Sequence, residues 1–260
     1  MLELGILGFI LSLCVTTVAY YKKSLTMSGF MTATVIGTLF FMFGSYIVWS
    51  ILIFFFISSS LLSKMSKNDR EKDGRNYTQV IANSAVSLIF LALYYYLNDL
   101  VYLIVSVVAI AASTADTWAS EIGSLSRGKT FSILNLKPME KGLSGAVSLA
   151  GLTASLIGAF IVSLLFSALY FAGNNFAWIL LMEFVGIITV AGFIGSILDS
   201  YLGVLLQAKY KEIKSGKIAE FIASTENYIL ISGKRFITNN AVNFIMVLTV
   251  SVVTYLLLVI

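Results

Sequence analysis

Residues 2–23 read LELGILGFILSLCVTTVAYYKK, a run whose only charge before its closing pair of lysines is Glu3. A helix needs about 20 predominantly apolar residues to cross the hydrocarbon core of a bilayer. No basic stretch precedes the run, so it reads as a retained anchor and not as a signal peptide. The pattern recurs along the chain. Apolar runs near 2–20, 29–44, 45–62, 78–97, 100–122, 144–172, 177–207 and 239–260 predict eight spans. The second and third are short and divided only around Gly44 and Ser45, which suits a helical hairpin or a re-entrant pair and holds the count between seven and nine. With 58% hydrophobic and 12% charged residues, the chain falls outside the soluble globular class. The expected fold is all-α, a polytopic membrane helical bundle of about eight transmembrane helices. One integral membrane domain is expected over 1–260, because the longest stretch between runs, Gln207 to Thr238, has 32 residues.

Charge orients this bundle. All seventeen Lys and Arg residues fall in four alternate inter-helix segments: Lys22 to Lys23, Lys64 to Arg75, Arg127 to Lys141 and Lys209 to Arg235. One face of the protein is therefore basic, and the positive-inside bias makes it the cytosolic face, with both termini outside. The mixed-charge runs at 64–75 and 209–221 (KYKEIKSGKIAEF) read on their own as solvated linkers. Histidine is absent and Cys14 is the single cysteine, placed inside the first run. Intramolecular disulfides, imidazole acid–base catalysis and His-ligated metals are thereby excluded, and Cys14 is expected to pack.

Two runs share a pattern. Ala109, Ala112, Ser113, Asp116 and Ser120 match Gly192, Gly195, Ser196, Asp199 and Gly203 at a constant displacement of 83 residues. At 100° per residue each set forms one narrow stripe, and small residues on facing stripes let membrane helices approach closely. This fits an internal parallel repeat, as it also fits the general recurrence of small residues in membrane helices. Each aspartate lies late in its run. Asp116 is about 24 Å along a helix from the run's start, just beneath the basic face.

A carboxylate within a membrane span is costly and marks a functional site by default. Asp116, Asp199 and Glu121 are the candidate catalytic and metal-binding acids, a hard oxygen set that suits Mg²⁺. Glu121 stands about 140° around the helix from Asp116, so the two share a face only if the helix ends between them, as Gly123 would allow. Glu183 lies at the opposite end of its run and stays outside the site. For phosphate, the segment Lys141-Gly142-Leu143-Ser144-Gly145 opens the sixth run, where helix amides together with Lys141 and Ser144 would receive an anion. Arg75, Gln79 and Asn83 recur at i, i+4, i+8, and Asn239, Asn240 and Asn243 enter the last run. Both stripes are candidate phosphate contacts, and interhelical hydrogen bonds would satisfy them equally.

The chain resembles a known family on five motifs taken in order: RNYTQVIAN at Arg75 to Asn83, ADTWASEIG at Ala115 to Gly123, KGLSGAVSLAG at Lys141 to Gly151, GFIGSILDSYLGVLLQ at Gly192 to Gln207, and TNNAVN at Thr238 to Asn243. It is similar to the integral membrane proteins that include the plant phytyl-phosphate kinase of the vitamin E pathway. No proline soon follows ADTWASEIG here, which departs from that pattern. The resemblance implies a Mg²⁺-dependent phosphotransferase moving a phosphoryl group from a nucleoside triphosphate, CTP, to an isoprenoid (phytyl-like) monophosphate at the membrane. The product would be a prenyl diphosphate.

The expected partners are the nucleotide, the isoprenoid monophosphate and the lipid bilayer, with no nucleic acid. Arg75, Lys129 and Lys141 would neutralise the approaching phosphates. No Walker-type or protein-kinase motif is present, so any nucleotide site is unrelated to those. The alternative class is a secondary transporter of an anion or isoprenoid phosphate, since repeated spans, intramembrane acids and glycine-interrupted helices are also transporter features.

Overall fold

The computed structural model describes residues 2–66, 74–220, 222 and 226–260. Seven helices among them are long and apolar enough to cross a membrane: α1 (Leu2–Tyr21), α2 (Met27–Ser66), α3 (Tyr77–Leu97), α4 (Leu100–Leu125), α5 (Leu149–Gly173), α6 (Trp178–Leu205) and α7 (Asn239–Val259). α2 is two spans in one. Ser45 takes φ 54° and ψ −163°, and the chain folds back there. Lys64 Nζ therefore donates to Lys22 O at 2.8 Å, although an unbroken helix would put residues 27 and 64 roughly 55 Å apart. Across the hairpin Phe41 and Trp49 meet edge to face with ring centroids 5.9 Å apart. Eight crossing segments result, with the divide where Gly44 and Ser45 placed it.

Short connections with local caps join the helices. Asn76 and Gln79 close a capping box on α3, Asp99 caps α4, and Ser148 and Thr238 cap α5 and α7 through their hydroxyls. Each cap satisfies an amide that the first helical turn leaves without a partner. Asn98, in the left-handed conformation (φ 52°), turns α3 directly into α4.

α4 is the axis of the bundle. An unbroken sequence from Leu103 to Ala115 is buried, and α2, α3, α5, α6 and α7 all pack on it. The small-residue stripes do the close packing. A β-carbon at Gly195 would stand 2.8 Å from Ala112 Cβ, and one at Gly192 would stand 3.0 Å from Ala111 Cβ, so α4 and α6 touch almost backbone to backbone. Gly195 lies against Ala112 at the same displacement that relates the two sequence stripes. One helical turn further on, that register brings Asp199 level with Asp116.

Three boundaries differ from the sequence reading. The sixth span begins at Leu149 and not at Ser144, because 126–148 is an excursion at the basic end. It carries β1 (Phe131–Ser132) paired antiparallel to β2 (Ala146–Val147). The run 209–221 is not a plain linker: β3 (Lys209–Glu212) and β4 (Ile218–Ala219) form a hairpin around Gly216, and β5 (Tyr228–Ser232) completes a sheet in the order β4-β3-β5. Its β-branched and aromatic residues supply strand propensity that the charge pattern masked. Within the 64–75 run, residues 67–73 lie outside the described residues, while Arg75 is buried. Cys14 is exposed on α1 and does not pack in the core, because α1 stands at the edge of the bundle against α2.

Candidate functional site

At the basic end the helices part around an open polar cleft enclosing about 1210 Å³, its mouth included. Of the eleven residues expected from the sequence, all but Lys129 border it: Asp116 and Glu121 from α4, Asp199 from α6, Gln79 and Asn83 from α3, Asn239 and Asn243 from α7, Arg75, and Lys141 and Ser144 from the β1–β2 excursion. Lys129 is exposed, with its neighbour Thr130 on the cleft wall and bonded to Met139 O at 2.6 Å.

Both aspartates line the cleft, one from each of two close-packed helices. Asp199 is buried. With the Asn243 amide nitrogen turned toward it, the only orientation a carboxylate can accept, Asn243 donates to Asp199 Oδ1 at 3.2 Å and to Asn239 O at 2.9 Å. Hydroxyls flank both acids: Thr117 and Ser120 beside Asp116, and Ser196 and Ser200 beside Asp199, all on the cleft wall. The sequence stripes already contained Ser120 and Ser196, and Thr117 and Ser200 follow the aspartates directly.

Glu121 does not complete an acid triad. α4 runs without interruption through Gly123 to Leu125, so the condition for Glu121 to share the aspartates' face is not met. Its carboxylate turns to the end of α2 and accepts from Ser63 Oγ at 2.8 Å and from Ser66 Oγ. Among the described residues no three acidic, cysteine or histidine side chains gather as a metal-binding group. The oxygen set that fits a hard cation is the pair Asp116 and Asp199 with their hydroxyl neighbours, which meets the demand of Mg²⁺ for one or two carboxylates.

Arg75 is held at the cleft wall by its backbone. Its N donates to Ser24 O at 3.0 Å and its O accepts from Thr26 N at 3.1 Å, pinning the start of α3 to the α1–α2 turn. The guanidinium carbon stands 5.7 Å from the centre of the Phe55 ring, a cation–π stack. Gln79 also serves the capping box, with Oε1 accepting from Asn76 N at 3.0 Å, and Asn83 donates to Gln79 O at 2.9 Å. Asn240 ties α7 to α3 through Thr78 Oγ1 at 3.0 Å. The α7 stripe thus bonds to other helices, through Asn240 to α3 and Asn243 to α6, whereas these bonds of Gln79 and Asn83 stay within α3 and its cap.

The glycine loop 141–145 lines the same cleft. Gly145 has φ 84°, and a β-carbon there would collide with Val204 on α6, so only glycine lets the loop lie this close to the helix. The loop is not a helix N-terminus. Ser148 Oγ takes the Gly151 amide at 3.1 Å, and the Ser144 amide donates to Glu220 Oε1 at 2.6 Å. Glu220 also accepts from Gln207 Nε2 at 2.9 Å, while Lys209 Nζ donates to Ser144 O at 2.8 Å. Burial pulls the Lys209 amine below its usual range, and the Glu220 charge partly offsets this. Nothing in the charge pattern of 209–221 distinguished Lys209 and Glu220 from their solvated neighbours; their role exists only once the β3–β4 hairpin folds over the loop.

A helical membrane bundle with a polar, two-aspartate cleft at one end defines the class of this protein. The chain matches the integral membrane protein family DUF92 over residues 10–251 and belongs to that family, as the five motifs led one to expect. It is 27% identical to Protein PGR of Arabidopsis thaliana, over 96% of this chain and 94% of that protein. It is 30% identical to the uncharacterized membrane protein MJ0933 of Methanocaldococcus jannaschii, over 77% of this chain and 82% of the relative. No solved structure matches.

Proposed function

We propose that the cleft is the active site of a Mg²⁺-dependent kinase that transfers the γ-phosphoryl group of a nucleoside triphosphate, CTP in the first instance, to an isoprenoid monophosphate. The observation that carries this reading is the pairing of Asp116 and Asp199 in the cleft, one turn below a close Gly–Ala helix contact, with Arg75 and the glycine loop around them. Phosphoryl transfer requires positioning and charge neutralisation more than covalent chemistry by the protein. Mg²⁺ held by the two aspartates would supply that neutralisation. Asn243 keeps Asp199 oriented and accepting, Arg75 offers a planar fork to phosphate oxygens, and the loop closes the site over the transferring group.

In the transfer an oxygen of the acceptor monophosphate attacks the γ-phosphorus, the bond from that phosphorus to the β–γ bridging oxygen breaks, and nucleoside diphosphate leaves. Phosphate monoesters have a second pKa near 6, so at neutral pH the acceptor is already deprotonated. No general base is needed, which accords with a chain lacking histidine. The basic end faces the cytosol in this reading, where the nucleotide is found. Cysteines placed near Arg127 and Lys214 should then be labelled only from the cytosol, and those near Asp99 and Asn174 only from outside.

The direct test uses purified protein in detergent with γ-labelled CTP and a prenyl monophosphate. Labelled prenyl diphosphate and CDP should appear in equal amounts, with prenyl alcohol a poor acceptor. Nucleotide-independent flux of the phosphate in proteoliposomes, with no diphosphate formed, would replace the kinase by a transporter.

A further inference from the structure

Behind Arg75 the bundle holds a second cavity between α1, both arms of α2 and α3, enclosing about 610 Å³ with its mouth included. Its walls are apolar: Val15, Ala33, Ile36, Leu52, Ile53 and Val80. The hydroxyls that reach it are already committed. Thr16 Oγ1 donates to Ser12 O at 2.8 Å and Ser84 Oγ to Val80 O at 2.6 Å, so the interior presents no polar demand to a guest. Its deep end lies at Ser12 and Gly37, where Trp49 Nε1 donates to Ser12 Oγ at 3.0 Å. Gly37 is ten residues into α2, roughly 15 Å below the helix start, which is half the depth of the hydrocarbon core.

The cavity adjoins the cleft: Arg75, Gln79 and Asn83 line both. A guanidinium stacked on Phe55 marks the junction, with polar space on one side and apolar space on the other.

We infer that this slot receives the hydrocarbon chain of a single-chain lipid phosphate, whose phosphate sits at Arg75 in the cleft. The inference rests on the proposed reading of the cleft and specifies its acceptor: one chain threaded inside the protein, not left in the surrounding bilayer. A two-chain phosphatidate does not suit one slot bounded by four helical segments.

A farnesyl-length monophosphate carrying a diazirine at its chain end tests this by photolabelling and peptide mapping. Saturable label should fall on Ala33, Leu52 or Val80. Unlabelled prenyl monophosphate should compete, and dioleoyl phosphatidate should not. Ala33→Phe and Val80→Phe, which fill the slot, should abolish that label and raise KM for the prenyl phosphate at least tenfold while leaving KM for the nucleotide unchanged. Label confined to outward residues such as Ile10, effective competition by the phosphatidate, or unaltered kinetics in both filled variants would overturn the slot. If the variants do not fold, the wild-type labelling pattern decides. Saturable slot labelling without any phosphoryl transfer would retain the slot and remove the kinase; transfer with unaltered kinetics in the filled variants would do the reverse.

Discussion

α1 and α4 are both apolar helices of membrane-spanning length, yet 22% of an 18-residue stretch of α1 is buried against 72% of one in α4. Hydrophobicity does not separate them, since lipid and protein interior are equally apolar surroundings for a side chain. Backbone access does. α4 carries Ala109, Ala111 and Ala112 and meets glycines from α5 and α6, so those two helices come close to it. α1 uses small residues on one face only, where Gly8 admits Phe41 and Thr16 meets Thr34 at 2.7 Å, and turns Leu7, Ile10 and Cys14 outward. The axial helix carries a catalytic candidate, while the peripheral one contributes the wall of an apolar slot.

This contrast can be broken most sharply at the aspartates. Asp116→Asn and Asp199→Asn should each lower phosphoryl transfer on the order of 10²–10³-fold, the scale on which removal of one preorganised electrostatic element acts. Membrane insertion and elution from detergent size-exclusion should stay unchanged, because an uncharged amide is cheaper than a carboxylate in the membrane. Activity and Mg²⁺ dependence kept in either variant would make that residue structural.

Helix packing comes next. Gly195→Leu should destabilise the protein in detergent by about 1–3 kcal/mol, the usual cost of overpacking, whereas Gly186→Leu on the same helix, with nothing near its β-carbon position, should fall within about 0.5 kcal/mol of wild type. Equal thermal shifts for the two would deny α4 and α6 their close contact.

A smaller effect is expected at Arg75→Lys. Replacing a planar fork by a point charge should raise KM for the lipid phosphate about tenfold, the worth of one charge-assisted hydrogen bond. The smallest is at Lys129→Ala, which should leave turnover within about twofold of wild type, since surface charges outside a site contribute little. A large loss there, in steady-state kinetics, would return Lys129 to the phosphate site, whose lining does not include it.

The sequence by itself determined the apolar runs, the basic end, the break around Gly44 and Ser45 and the two aspartate stripes, because each follows from local composition or from a helical period of 3.6 residues; that the break is a hairpin and not a re-entrant pair came from the fold-back of α2. It allowed the pairing of α4 with α6, since small residues in register leave room for one backbone against another, and the contact of Gly195 with Ala112 decided for it. Only the tertiary structure decided which way Glu121 points. Ser63 and Ser66 lie more than fifty residues away in the chain and claim its carboxylate once the second arm of α2 packs on α4. The same holds for Lys209 and Glu220, whose partners at Ser144 belong to a different loop, and for the slot behind Arg75, which no single helix encloses. Contacts between residues distant in sequence leave no periodic trace along the chain, so they come into being only when the helices assemble.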